Sequence, residues 1–364
     1  YHMFKPTQNF TRGFTSWDFI RGQESDNYRS GPVDCIDVDR YRSPESRDTP
    51  PNPVLVQYLL NMQDREREED WTSARTFAGA MRFLEDNRDN RPFFLWVDSF
   101  DPHEPWDPPK AYADRYDPDW DRPWEAIHGW ENADGRLRRR AKALYYGECT
   151  FVDLWVGRLL ETLDELGLSE ETLVVLTSDH GTELWDHGAV NKGRHSCRYR
   201  HNSEILLAMR FPGHEFAGRR IRAFAQNHDI LPTVLSCMGI EHSPVDGKDL
   251  GPIIRGEQRG VRDTCITLWA GRASVRTHAH SYSVDYESAD PNEHLFDLTE
   301  DPAETRNLAD EAPDICGQYR IKLEHFLGQS LPATPLDTLH PSQPPCRVWF
   351  RNAPCCAALR GEGG

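Results

Sequence analysis

The chain has 364 residues, enough for one large α/β domain and a small appendage. Its formal net charge is -17, from 59 acidic against 42 basic residues, which argues against a nucleic-acid partner. No apolar stretch approaches the roughly 18 residues that would span a bilayer. The same negative field disfavours an anionic ligand, so capture of one would depend on local positive charge. The nine cysteines are scattered without metal-ligand spacing. They read as small buried hydrophobes or free thiols, which leans towards a cytoplasmic rather than a periplasmic or secreted protein.

Residues 1–50 are polar, rich in Arg, Asp, Gly and Pro, and read as a packed surface loop with a short strand over Asp34–Asp39. Pro53–Asn61 is an apolar run compatible with a strand or a short helix. Trp71–Asn87 predicts an amphipathic helix, with Ala74, Phe77, Ala78, Met81 and Leu84 on its apolar positions and Thr72 or Ser73 as N-cap. Phe93–Phe100 has the pattern of a buried strand and ends on Asp101-Pro102-His103-Glu104-Pro105, whose prolines stiffen the turn that presents His103. Asp107–Gly135 is long and irregular. Trp106, Tyr112, Tyr116, Trp120, Trp124 and Trp130 could form a stacking wall for a sugar or aryl group, or could simply pack the loop.

Arg136–Leu166 predicts a long helix with Leu144, Phe151, Leu154, Leu159 and Leu163 in its apolar stripe and Gly167 as C-cap. The β-branched run Thr172–Thr177 then predicts a buried parallel strand that ends on Ser178-Asp179-His180-Gly181. Ligands bind at the carboxyl ends of strands in open α/β sheets. Asp179 and His180 offer an anionic oxygen and an imidazole nitrogen that together could hold a divalent cation, although a plain turn has the same sequence. Asp186 and His187 repeat the pattern inside a loop and rank lower. Lys192, one of only six lysines, sits in a Gly-flanked loop and suits a single anionic oxygen. The basic run Gly193–Arg200 adds Arg194, His195 and Arg198 as candidate substrate contacts.

Further strands are predicted over Ile205–Phe211 and Ile221–Phe224, and a helix over His228–Met238. Leu250–Arg255 closes the main domain. Alternating segments from Thr264 to Leu298 read as an antiparallel sheet, with one helix, Ile315–Leu327, packed on it. The domain reading is therefore 1–258 for the main α/β domain, 259–330 for an α+β subdomain and 331–364 for a disordered tail.

DPHEPW, the SDHG strand end, the NKG loop and HLFDLTEDPAETRNLA occur in an order that resembles the sulfatase family of the alkaline-phosphatase-like superfamily. That family includes phosphonate and phosphate ester hydrolase relatives, and the likeness extends over about Tyr1–Leu308. The resemblance implies an α/β three-layer sandwich with a mostly parallel central sheet and a small antiparallel C-terminal subdomain. It implies a metal-dependent hydrolase of sulfate monoesters, acting on a small-molecule or glycan sulfate ester. Asp179 and His180 would be metal ligands. His103 and Lys192 would bind the sulfate oxygens, with His103 also donating a proton to the leaving group. Tyr1-His2 resembles the end of the family's Gly-Lys-Trp-His segment, which makes His2 a further active-site histidine. Calcium is the family's commonest metal, and manganese or zinc accompany phosphonate or phosphodiester activity.

Two departures stand out. None of the nine cysteines lies in the Cys-x-Pro-Ser-Arg type of motif that matures to formylglycine, and no N-terminal strand ends in paired aspartates. The expectation is a chain truncated at its N-terminus, inactive and poorly soluble by itself, from a sulfatase. The alternatives are a phosphonate monoester or phosphodiester hydrolase of the same superfamily, or an inactive fragment.

Overall fold

The computed structural model describes residues 9–130, 133–193, 196–269, 271–288 and 290–332. The chain divides into two compact units, Tyr1–Thr172 and Leu173–Gly364. His2, Arg194, His195 and most of the tail lie outside the described residues.

In the first unit, helix α1 (Pro53–Asn61) resolves the ambiguity of its apolar run. Pro53 pre-sets the first helical φ, the Asn52 side chain accepts from Val54 N, and Leu55, Tyr58, Leu59 and Leu60 are buried. Helix α2 (Thr72–Asp86) buries Ala74, Phe77, Ala80 and Leu84, with Trp71 rather than Thr72 or Ser73 at its N-cap. After the short α3 (Lys110–Asp114), α4 runs from Gly135 to Glu165, and the Asp134 carboxylate caps it by accepting from Leu137 N at 2.7 Å. Gly167, at φ 70°, takes the left-handed position just past its end. The face of α2 meets α4 through Ala74, Phe77, Phe151 and Trp155, with Trp71, Val97 and Tyr112 around them.

Two expectations fail in this unit. Asp34–Asp39 is not a strand but parts of two 3-10 turns, Val33–Cys35 and Val38–Tyr41, because the Asp37 carboxylate caps the second turn at Arg40 N. Residues 93–100 form no strand with any described segment. Phe93, Leu95 and Val97 are half-buried, while Phe94 and Trp96 remain 60% and 64% exposed. The apolar run thus covers one face only. The tryptophans of the long loop are packing groups: Trp106, Trp120, Trp124 and Trp130 are buried, and Trp106 stacks on Trp130 at 4.2 Å. Arg140 of α4 is wholly buried and pairs with Glu125 at 2.7 Å and Asp114 at 3.1 Å, which ties the loop to the helix. The stacking-wall reading therefore gives way to packing for these four rings.

The second unit holds β1 (Val174–Thr177), β2 (Glu183–Leu184), β3 (Val190–Asn191), α5 (Arg200–Ser203) and β4 (Leu207–Arg210), followed by α6 (Ile230–Cys237) and α7 (Gly251–Arg255). Strand β1 pairs with β4 antiparallel, Leu176 opposite Ala208, and its last two residues are exposed. It is not the buried parallel strand its composition suggests. Hydropathy reports a wish for burial but not the identity or direction of the neighbour. The Ile221–Phe224 run forms no strand. Strands β5 (Cys265–Trp269), β6 (Arg272–Arg276), β7 (His280–Asp285) and β8 (His294–Asp297) make an antiparallel sheet in sequential order, as the alternating pattern predicts. Helix α8 (Pro313–Leu327) lays Cys316, Tyr319, Leu323 and Leu327 on Ala273, Val275, Tyr282, Val284 and Leu295. Each fully buried aliphatic side chain here contributes about 1.5–3 kcal/mol.

Candidate active site

Strand β1 delivers Asp179 and His180 to a tight turn in the second unit. Asp179 Oδ1 accepts from His180 N at 2.8 Å, and its carboxylate is largely solvent-exposed. His180 Nδ1 lies 2.8 Å from the Gly181 carbonyl oxygen, which can only accept, so in the neutral ring Nδ1 carries the proton and Nε2 the lone pair. That Nε2 stands 3.6 Å from Asp179 Oδ2. A carbonyl contact at one ring nitrogen with the other left as a donor is the arrangement in which histidine ligates metals. The pair thus fits part of a divalent-cation shell, one oxygen and one nitrogen side by side. Among the described residues no group of three or more His, Cys, Asp or Glu side chains could hold a metal, so the remaining donors are not in this set.

The turn is fixed from behind. Gly181 N donates to Asn202 O at 2.9 Å, and a Cβ on Gly181 would come within 2.0 Å of His201 O. Only glycine permits that approach. Asn227 Nδ2 reaches the carbonyls of Ser178 and Asp179 at 3.3 and 3.4 Å. Lys192 follows β3 and is half-buried, next to Asn191 at φ 64°. Arg198 is half-buried, its guanidinium 5.7 Å from the Tyr199 ring centre. Arg198 also faces two titratable groups. Burial, then Asp186, pushes the Glu183 carboxyl up to about 7, with Arg198 opposing. Burial, then Arg198, pushes His294 down to about 4. His187 stacks on Tyr199 at 3.6 Å, and its Nε2 bonds Ala303 O at 2.9 Å, so the second Asp-His-Gly is packed into the structure.

In the first unit, His103 occupies the turn that its sequence predicts. Its N–H donates to Phe100 O at 3.1 Å, and its ring lies 4.4 Å from that of Phe100. Nδ1 is 2.6 Å from Glu104 O, so this imidazole too carries its proton on Nδ1 when neutral. Behind the turn lies a buried charged cluster. Arg65 pairs with Asp107, reaches Tyr58 Oη at 3.0 Å and stacks 4.0 Å over Trp71. Trp71 Nε1 donates to Asp107 O at 2.7 Å, and Asp107 N donates to Glu148 Oε1 at 2.7 Å. Burial pushes the carboxyls of Asp101 and Glu148 above their ordinary range.

Glu148 and Glu183 are buried carboxyls that reading the residues for chemistry passed over. Glu148 had a signal: it sits between Leu144 and Phe151 on the apolar stripe of α4, where a charge is out of place. Arg65, inside the charged run 63–70, had none.

A family model described as Sulfatase matches residues 10–240. An arylsulfatase of Clostridium perfringens is 30% identical over 271 residues, covering 67% of this chain and 54% of that protein. The phosphonate monoester hydrolase of Agrobacterium radiobacter superposes with a TM-score of 0.62 at 23% identity, covering 72% of this chain and 61% of that one. A protein solved with its substrate D-glucosamine-2-N,6-O-disulfate superposes with a TM-score of 0.58 at 19% identity, over 70% and 69% of the two chains. These likenesses show an alkaline-phosphatase-like α/β fold. The chain spans about half the length of the curated relatives it matches. A family model covering more than half of the 364 residues, together with the Asp179–His180 strand end and the His103 turn, places the chain in the sulfatase family.

Proposed function

We propose that this chain is the part of a sulfate monoester hydrolase that supplies half of a metal shell, a proton donor and anion-binding cations. The observation that supports this most is the Asp179–His180 turn, where Oδ2 and a lone-pair Nε2 stand 3.6 Å apart at a strand end. A divalent cation bound there, calcium by family habit, would supply neutralisation of charge on the ester oxygens. The nucleophile, a formylglycine, would come from a segment outside these 364 residues, so the chain by itself is inactive.

The roles of this chain's residues follow from their chemistry. Lys192 contributes a point charge for one sulfate oxygen. His103, protonated at Nε2 while Nδ1–H stays on the Glu104 carbonyl, would give that proton to the departing alkoxide. Arg194 and Arg198 would add positive charge towards the substrate. His2 would be a further active-site histidine. The substrate is a small or glycan sulfate ester, a reading supported by the structural likeness to a protein solved with a disulfated glucosamine.

A second reading, phosphonate monoester or phosphodiester hydrolysis, is favoured by the nitrogen donor of His180, which suits manganese or zinc, and by the structural likeness to a phosphonate monoester hydrolase. The deciding experiment is a rate comparison on nitrophenyl sulfate and a phenyl phosphonate ester with the full-length protein, metal-stripped and reloaded with each ion. Sulfate turnover lost on chelation, regained with calcium and abolished in Asp179→Ala supports the first reading. Faster phosphonate turnover with manganese or zinc overturns it.

A further inference from the structure

The turn that carries His103 is held at its far end by the fourteenth residue of α4, Glu148. Glu148 is buried, and its Oε1 accepts from Asp107 N at 2.7 Å. Its Oε2 is buried with no hydrogen-bond partner among the described residues. Asp107 is the residue on which the other supports converge: the Arg65 guanidinium and Tyr58 Oη reach its carboxylate, and Trp71 Nε1 its carbonyl. Asp101, at the other end of the same turn, faces Arg65, His103 and Glu148. A simple salt-bridge network would put a cation opposite each carboxylate. Here one arginine stands among Asp101, Asp107 and Glu148, and Glu148 is spent on a backbone N–H.

We propose that Glu148 is a positioning residue: by accepting from Asp107 N it fixes the Asp101–Asp107 turn, and through it the His103 imidazole, for protonation of the leaving group. This rests on the reading of His103 as the proton donor. Burial pushes the Glu148 carboxyl well above its ordinary range, and Oε1 is the oxygen that accepts from Asp107 N. A glutamine keeps that acceptor and the same shape, whereas a leucine keeps the volume without the acceptor.

The test compares Glu148→Leu with Glu148→Gln in the full-length protein. The first readout needs no activity: the pH titration of the His103 ring, followed by NMR with labelled histidine and assigned with His103→Gln. The second is kcat on nitrophenyl sulfate, whose leaving group needs no proton, against an alkyl or sugar sulfate, whose leaving group does. Glu148→Leu is expected to move the His103 titration by about half a pH unit or more. It should lower kcat on the alkyl sulfate by up to about 100-fold, with KM and nitrophenyl sulfate turnover nearly unchanged, and Glu148→Gln should restore both. A leucine variant with an unaltered His103 titration and unaltered leaving-group dependence overturns the proposal. So does a glutamine variant as impaired as the leucine one. If the leucine variant does not fold, the glutamine variant carries the test alone, and a shifted His103 titration in it is refuting. If the ring shifts and recovers as expected but wild type cleaves no sulfate ester, the positioning stands and the sulfatase reading fails.

Discussion

Replacing Asp229 by alanine should cost the second unit about 4 kcal/mol. Asp229 stands at the start of α6 with its side chain fully buried, and it holds three partners at once. Arg262 forks onto both carboxylate oxygens, Gln226 N donates at 2.7 Å and Lys248 N at 2.8 Å. Arg262 itself is only 13% exposed, so the truncation strands a buried guanidinium, which costs about 3–5 kcal/mol. Each backbone N–H that loses its acceptor costs about 1–3 kcal/mol more unless water enters, so the figure is a conservative one. Against a total stability of about 5–15 kcal/mol, the loss is a large fraction.

The assay is native-state hydrogen exchange over residues 226–255 in the intact chain, which reads this unit separately from the first. Pairing Asp229→Leu with Arg262→Met removes both charges and should recover about half of the loss or more, leaving the two orphaned N–H groups as the residue of the effect. A single variant that costs under about 1 kcal/mol, or a double variant no better than the single one, refutes the reasoning. The pH dependence has a definite sign. Burial would raise the Asp229 carboxyl, but Arg262 and the two N–H groups outweigh it and hold it below its ordinary 3.8. A depressed carboxyl contributes stability above its unfolded pKa that is lost as pH falls through the folded one. The wild type should therefore lose this contribution below about pH 4, and the double variant should not.

Glu183 has the opposite sign. With its carboxyl pushed up to about 7 from 4.5, the folded unit holds a proton that the unfolded chain releases, so stability falls as pH rises from 4.5 through 7. The decline is limited to about 3 kcal/mol, and Glu183→Gln should flatten it in melts taken across that range. Gly181→Ala puts a methyl within 2.0 Å of the His201 carbonyl and must distort the Asp179–His180 turn. Calorimetric titration with calcium or manganese should show at least about 10-fold weaker binding than wild type, and equal affinity would show that the turn does not hold the ion. Arg198→Ala should raise KM several-fold for a sulfate ester with kcat little changed, and an unchanged KM would remove Arg198 from the substrate contacts.

Local periodicity makes much of this chain legible in the sequence alone. The apolar spacing of Ala74, Phe77 and Leu84, or of Leu144, Phe151 and Leu163, predicts α2 and α4 because a helix brings those positions to one face whatever lies opposite. Alternation over 264–298 likewise predicts the four-stranded sheet, since hairpin neighbours are also sequence neighbours. The short motifs around His103 and Asp179–His180 carried the family, because the chemistry needs those residue types at those chain positions. What only the tertiary structure decided involves partners distant in sequence. Residues 93–100 and β1 have the same apolar signature, yet among the described residues the first forms no strand and the second pairs antiparallel with β4. Trp106 and Trp130 read in the sequence equally as ligand-stacking or as packing rings, and they stack on each other. Glu148 reaching Asp107, Asp229 holding Arg262 and Gly181 pressed against His201 are contacts across 41, 33 and 20 positions, respectively. No local pattern encodes such contacts, because the low-dielectric interior that makes them strong exists only once the chain has folded.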